Sequence, residues 1–367
     1  MKPNLQDIVR QFRFEGDFSA ANPYGVGHIN DTYLTVYEEN GLIHQYILQR
    51  INHNVFLNPE GLMRNIEAVT SHLSQKIELL GGNPLRETLT LIPTLNGKSY
   101  IRTDEGDYWR GYLFINNAHT YEFVENLDHV YHAAKAYGKF QNLLSDYPSG
   151  ELIETIPDFH NTRKRFERFV EAVERDPLNR ASSSQTEIEF VLQRENDTSV
   201  LVDMWERSEL PERITHNDTK FNNVMIDDKT GKGVCVIDLD TVMPGLSLFD
   251  FGDAIRTLAN PAAEDERDLS LVQFDLEIFD IYTKGYLDAV GDVLSPEEIK
   301  HLPFSAILMT FECGIRFLTD HLEGDKYFKI HRENQNLDRC RTQFKMVNDM
   351  ELQFDQMMSI VENYLKV

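Results

Sequence analysis

Ile214-Thr215-His216-Asn217-Asp218-Thr219-Lys220-Phe221-Asn222-Asn223, followed by Val234-Cys235-Val236-Ile237-Asp238-Leu239-Asp240, decides how this chain is read. It sets Asp218 two residues after a histidine, an asparagine five residues further on, and a second aspartate at the end of a β-rich apolar run. Asp218 and Asn223 lie on an otherwise polar segment ahead of a strand, so they belong to a loop and can face one cleft. Phosphoryl transfer uses that combination: one carboxylate accepts the proton of an attacking hydroxyl, while an amide oxygen and another carboxylate hold metal on nucleotide phosphates. Asp218 is the candidate base; Asn223 and Asp238 are the candidate Mg²⁺ ligands. The competing reading is an ordinary Asn- and Asp-rich turn capping its own backbone. A lone His-x-Asp would fit it, but the hairpin whose second strand ends in Asp238 speaks for the site. A carboxylate leaving a buried strand is costly unless paired or metal-bound. His216 is read as a brace for the loop, because Asp218 is the nearer proton acceptor. Asp240 has the same strand parity as Asp238, and reads either as an accessory to it or as a simply solvated carboxylate.

Outward from that stretch, Asn223 to Ile226 and Val234 to Leu239 flank Asp228-Lys229-Thr230-Gly231-Lys232-Gly233 as a hairpin. Residues 1–115 read as strand-rich. Phe12 to Phe14 leads into the loop Tyr24-Gly25-Val26-Gly27-His28-Ile29-Asn30. Thr32 to Tyr37, a turn at Asn40-Gly41 and the return Tyr46-Ile47-Leu48 follow, Asn-Gly being a strong hairpin signal. Further strands are expected at 91–95, 99–101 and 109–115, and a helix over 59–77 from the spacing of Leu62, Ile66, Val69 and Leu73. A Gly-x-Gly loop between strands suits a flap whose backbone amides cover phosphates, with His28 and Asn30 directed at phosphate or acceptor. Alone it is equally a hairpin turn, with His28 a solvated loop residue.

Residues 116–367 change to a helical period. Val130, Ala133, Tyr137, Phe140 and Leu144 share one face, Phe166, Phe169, Val170 and Val173 another, and further helices are expected over 270–291, 296–321 and 341–366. Arg316 falls in a mostly apolar helical stretch and needs a partner: either Glu312 one turn earlier or substrate oxygens. His301, His321 and His331 show no metal-ligand spacing.

The 367 residues include 41% hydrophobic ones, enough for a large core and two lobes. Net charge is −24, from 36 basic and 60 acidic residues, which argues against nucleic acid and anionic membranes as partners. Cys235, Cys313 and Cys340 are too scattered for a disulfide framework or a zinc site. The N-terminal stretch lacks an apolar leader core and no apolar run approaches eighteen residues, so the expected location is cytoplasmic.

Tyr24 to Asn30, Thr215 to Asn223, Ile237-Asp238-Leu239-Asp240 and Leu248-Phe249-Asp250-Phe251-Gly252-Asp253 together resemble the aminoglycoside phosphotransferase and choline kinase superfamily. Glu312 to Leu318 and Leu322 to Asp325 narrow the resemblance to the N-acetylhexosamine 1-kinases, over nearly the whole chain. The resemblance implies an α+β, two-lobed, protein-kinase-like fold, with a small antiparallel-sheet N-lobe and a larger, mostly helical C-lobe. It implies ATP and Mg²⁺ as cofactors and N-acetylglucosamine or N-acetylgalactosamine as acceptor. Asp218 would be the base, and Asn223 and Asp238 the metal ligands. Gly25, Gly27, Asn30, Gln49, Tyr112 and Phe114 would meet the nucleotide, and His28, Asp218 and Arg316 the sugar. One departure stands out: many superfamily members carry a lysine on the strand Tyr46-Ile47-Leu48, paired with a helix glutamate, where this chain has Gln49-Arg50. Glu67 is the expected counterpart of that glutamate.

Overall fold

The computed structural model describes residues 5–25 and 29–365; Gly27 and His28 lie outside them. A short helix α1 (Leu5–Val9) precedes strands β1 (Asp17–Pro23), β2 (Asp31–Glu39) and β3 (Leu42–Ile51). Helices α2 (Pro59–Leu79) and α3 (Pro84–Glu87) come next, then β4 (Tyr100–Arg102) and β5 (Tyr108–Leu113). The five strands form one antiparallel sheet in the order β1-β2-β3-β5-β4. The β2–β3 turn places Asn40 and Gly41 at φ 51° and 80°, as the Asn-Gly pair requires. Asn58 caps α2 by accepting from the Gly61 amide at 3.0 Å, and Pro59 opens the helix where its missing N–H costs nothing. Leu62, Ile66, Val69 and Leu73 form its buried face.

The helical lobe contains β6 (Ala118–His119), α4 (Leu127–Leu144), α5 (Thr162–Arg175), α6 (Gln185–Leu192) and α7 (Val200–Glu206). The catalytic-type stretch occupies β7 (Arg213–Thr215), β8 (Val224–Asp227), β9 (Gly233–Val236) and β10 (Met243–Gly245). Helices α8 (Ser247–Leu258), α9 (Leu276–Val290), α10 (Pro296–Lys300), α11 (Leu302–Glu323), α12 (Gln335–Leu352) and α13 (Phe354–Leu365) complete it. The β8–β9 hairpin matches the sequence reading, and β6 extends it to three strands. The fold is mixed α+β with an antiparallel N-terminal sheet and a helical C-terminal part.

Several expected elements are corrected. Residues 91–95 make only isolated bridges, Leu91 to Tyr112 and Phe12 to Thr94, because Pro93 has no amide to give a ladder. Strand β1 was not expected; its residues Asp17-Phe-Ser-Ala-Ala-Asn-Pro23 carry little alternation. The helix expected at 296–321 is two, α10 and α11, broken at His301 where Pro303 starts a new first turn. The helix at 341–366 is also two, joined at Gln353. Helix α11 is 22 residues long and, although polar residues interrupt it, apolar enough on average to cross a membrane by length and composition, but 89% of its most apolar window is buried inside the protein. It is the central helix of the large core. Gly252 of α8 permits its close approach, since a Cβ there would lie 2.3 Å from the Ser305 carbonyl oxygen.

Candidate active site

Helix α8 holds the 216–219 loop from beneath through two buried carboxylates one turn apart. The Asp250 carboxylate accepts from the His216 amide (2.9 Å), the Asn217 amide (2.7 Å) and the Gln141 side chain (2.7 Å). Asp253 accepts from the Thr219 amide at 3.0 Å, and the Thr219 hydroxyl donates to the Asp250 carbonyl. Each loop amide thus has a partner away from solvent, as buried backbone requires. The sequence reading quoted this stretch only within a family resemblance; the signal was two acids three residues apart on an otherwise apolar helical run. His216 is the brace it was expected to be: Nδ1 accepts from the Asp218 amide (3.3 Å), while Nε2 donates to the Ile237 carbonyl (2.8 Å). The Asn217 side chain donates to Thr241 O (2.9 Å), and the Thr241 hydroxyl donates to His216 O (2.6 Å). Loop and 238–241 turn therefore move as one piece.

On that platform Asp218, Asn223 and Asp238 come together. Asn223 Nδ2 donates to the Asp218 carbonyl (2.9 Å) and to Asp218 Oδ2 (3.2 Å), which leaves its amide oxygen for a ligand. Lys220 Nζ lies 2.8 Å from Asp218 Oδ1. Burial pushes the Asp218 carboxyl up, but Lys220, with His216 and Arg256 further off, outweighs it and holds Asp218 below the usual carboxylate range. Sequence reasoning passed over Lys220, although a cation two residues from a candidate base is a readable signal. Asp238 is at the turn after β9 in left-handed backbone, φ 60°. Its side chain opens on the cleft but is ringed by protein, and burial with the neighbouring charges of Asp240 and Asp218 pushes its carboxyl up to about 6. Lys220 neutralises Asp218 and Arg110 neutralises Asp240; among the described residues no cation lies at ion-pair distance from Asp238. A site for Mg²⁺ fits those donors: Mg²⁺ takes one or two protein ligands and fills its shell with phosphate oxygens and water. Among the described residues no group of three or more His, Cys, Asp or Glu side chains is placed to hold a metal ion.

The sheet-bearing lobe closes over this site. Asn30 Nδ2 donates to Asp240 Oδ2 at 2.6 Å, and Asn30 Oδ1 accepts from the Asn52 amide at 2.9 Å. Gln49 donates to the Thr32 hydroxyl (2.9 Å) and accepts from Arg110 Nε (2.9 Å) and Nη2 (2.6 Å). The guanidinium of Arg110, on β5 directly opposite Gln49, is the buried cation of the cleft and pairs with Asp240. Tyr112 is buried beneath it, its ring 5.3 Å from the guanidinium carbon. The Phe114 amide donates to Gln45 O (3.2 Å), and its ring meets Tyr24 edge-on at 5.8 Å. Gly25 has φ 76°, and among the described residues nothing lies within 4 Å of where its Cβ would be. Glu67 faces solvent, so it is not the partner of a β3 side chain; α2 turns Met63 toward Arg110 instead.

Arg316 is not paired with Glu312. That carboxylate accepts from His160 Nδ1 and the Thr162 hydroxyl, both at 2.8 Å. Arg316 stacks against Phe159, Phe328 and Tyr327, with 5.0, 5.5 and 6.0 Å to the ring centres. It lines a cavity with Arg165, Arg168, Asp320, Tyr327 and Phe328. Arg168 pairs with Glu323, and Asp320 accepts from the amides of Lys326, Tyr327 and Phe328. Arg165 donates to the Phe159 carbonyl only, and burial together with Arg316 lowers its pKa. Among the described residues neither Arg165 nor Arg316 has a carboxylate at ion-pair distance, though the Glu312 charge favours both guanidiniums. His160, next to Phe159, contacts the Asn217 carbonyl at 3.1 Å and so joins the cavity wall to the catalytic-type loop.

The family model described as "Phosphotransferase enzyme family" matches residues 20–280. Among solved structures, an aminoglycoside phosphotransferase from Alicyclobacillus acidocaldarius superposes with a TM-score of 0.64 at 10% identity, covering 99% of this chain and 97% of that one. A Plasmodium vivax ethanolamine kinase gives 0.56 at 15% identity, over 88% and 82% of the two chains. A spectinomycin phosphotransferase in complex with ADP and its antibiotic gives 0.52 at 14%, over 93% and 94%. At these identities the likeness is one of fold.

Proposed function

The chain belongs to the phosphotransferase enzyme family, and from that premise we propose that it is an ATP- and Mg²⁺-dependent kinase acting on the anomeric hydroxyl of N-acetylglucosamine or N-acetylgalactosamine. The product is the sugar 1-phosphate. The observation that carries this reading is the single cleft in which the Asp218 carboxylate, the Asn223 amide and the Asp238 carboxylate meet, beside a cavity lined by Arg316. Asp218 accepts the hydroxyl proton as the sugar oxygen forms its bond to the γ-phosphorus and the bond to the departing ADP breaks. An anomeric hydroxyl is more acidic than an ordinary alcohol, so a carboxylate held low by Lys220 suffices. Mg²⁺, held by Asn223 and Asp238, would offset phosphate charge. The protein supplies position and fixed charge, where most of the rate in this chemistry arises.

The acceptor cavity supports a neutral sugar over the cationic acceptors named for the structural neighbours. Arg165 and Arg316 offer guanidinium N–H donors to sugar oxygens, and the three arginines of the wall are balanced by Asp320, Glu323 and Glu312, so the cavity offers a cationic acceptor no excess negative charge. The guanidinium donors also suit one second reading, an acceptor bearing a carboxylate, such as homoserine. We place the reaction in the cytoplasm, where ATP is available and the three free, buried cysteines stay reduced. A panel of sugars, amino alcohols and homoserine, read by ADP release and ³¹P NMR, tests both readings. A 1-phosphate couples to the anomeric proton; product from homoserine alone, or from an amino alcohol, overturns the sugar assignment.

Lys220→Met provides a pH test. Without the ammonium, burial raises Asp218 against only the weaker effects of His216 and Arg256, so the acid limb of the pH–rate profile moves to higher pH. An unmoved limb would mean that Lys220 does not set the base.

A further inference from the structure

Asp240 takes its side-chain partners from the opposite lobe. Arg110 Nη1 on β5 pairs with Oδ1, and Asn30 Nδ2, at the end of the glycine loop, donates to Oδ2 at 2.6 Å. The Arg110 and Asp240 side chains are 1% and 4% exposed. Gln49 holds the guanidinium by its other edge and is itself held by Thr32. A lysine at position 49 would set a second cation against this buried guanidinium. A neutral amide oxygen instead accepts two of its N–H groups, which accounts for glutamine on β3 by the charge already present on β5. A buried ion pair is a weak device for stability, because desolvation offsets much of its attraction, but it is strongly directional, since losing one partner strands the other charge.

We propose that Arg110, Asp240 and Asn30 form a closure strut that positions the end of the glycine loop over the turn bearing Asp238, and that Asp240 acts in it as an ion-pair partner and not as a metal ligand. Arg110 is a positioning residue: its donors are engaged by Gln49 and Asp240, and it holds the carboxylate that Asn30 reaches from the opposite oxygen. Asp240 lies two residues beyond Asp238, whose left-handed backbone leaves the turn little freedom to shift one without the other. The inference rests on the phosphotransferase assignment and not on the identity of the acceptor.

The test is calorimetric binding of ADP, with Mg²⁺ and with EDTA, to full-length Arg110→Gln, Asp240→Asn, Asn30→Ala and the Arg110→Gln/Asp240→Asn double variant, with melting curves alongside. Each single variant is expected to lose about tenfold in ADP affinity under both conditions. The double variant, with no stranded charge and two amides able to pair, recovers to within about threefold of the native protein. A metal-ligand role predicts otherwise: Asp240→Asn would lose affinity only with Mg²⁺, and the double variant would be no better. Either that pattern or native affinity in all variants overturns the strut. If a single variant does not fold, the double variant decides, and a loss beyond about tenfold there overturns it. No acceptor enters the measurement, so failure of the sugar panel and failure of the strut are separate results.

Discussion

Replacing Asp218 with asparagine is expected to lower turnover by about 10²–10⁴ while ADP affinity stays near native. The substitution keeps size and shape, and the Asn223 amide still finds a carbonyl oxygen at the Asp218 backbone, 2.9 Å away. What is lost is a group that can take a proton. The neutral amide also removes the anion opposite Lys220, leaving that ammonium beside the phosphates, so nucleotide binding has no electrostatic reason to weaken. Single-turnover kinetics separate the chemical step from product release, and calorimetry reports the nucleotide. Turnover within a few-fold of native would remove Asp218 from the proton transfer; a matching collapse of ADP affinity would show that the variant damages the cleft and not the base.

Asp250→Ala is expected to lower stability by about 3–5 kcal/mol, a large part of the roughly 5–15 kcal/mol available to a folded domain. Its carboxylate satisfies the amides of His216 and Asn217 and the Gln141 side chain, all away from water. Each orphaned buried donor costs about 1–3 kcal/mol. Part of this returns, because burial itself penalises the Asp250 charge and pushes its carboxyl up. The measurable outcome is a melting temperature lower by about 5–10 °C. Activity at low temperature should fall as well, since the same amides fix the loop that carries Asp218. A native melting curve would show that the loop is held by its other ties, from Asn217 to Thr241 and from Thr241 to His216.

The two effects differ in how far they could be read beforehand. Asp218, Asn223 and Asp238 were legible because their types and spacing carry chemistry in a short segment, and a hairpin brings its ends together whatever the rest of the chain does. Asp250 was not singled out, since its role depends on helix α8 lying beneath a loop 33 residues away along the chain. Arg316 shows the same limit. Its spacing from Glu312 suggested a pair, but Glu312 faces His160 and Thr162 on α5 and the segment before it, and helical proximity lost to tertiary partners. Glu67 failed for a related reason: period alone placed it on α2, but the helix faces the cleft with Met63.

The sequence by itself determined the change from strand to helix period, the β8–β9 hairpin, the long helix α2 and the polar loop where the candidate catalytic side chains gather. These are local matters of propensity, turn chemistry and spacing. Only the tertiary structure decided which cation serves the cleft. Gln49 and Arg110 are 61 residues apart and Arg110 and Asp240 are 130 apart; nothing in either segment names the other. Strand pairing in the sheet sets Arg110 opposite Gln49, and closure of the two lobes brings Asp240 up to meet it. A buried charge settles where a partner and full hydrogen bonding are available, and that is a property of the assembled cleft.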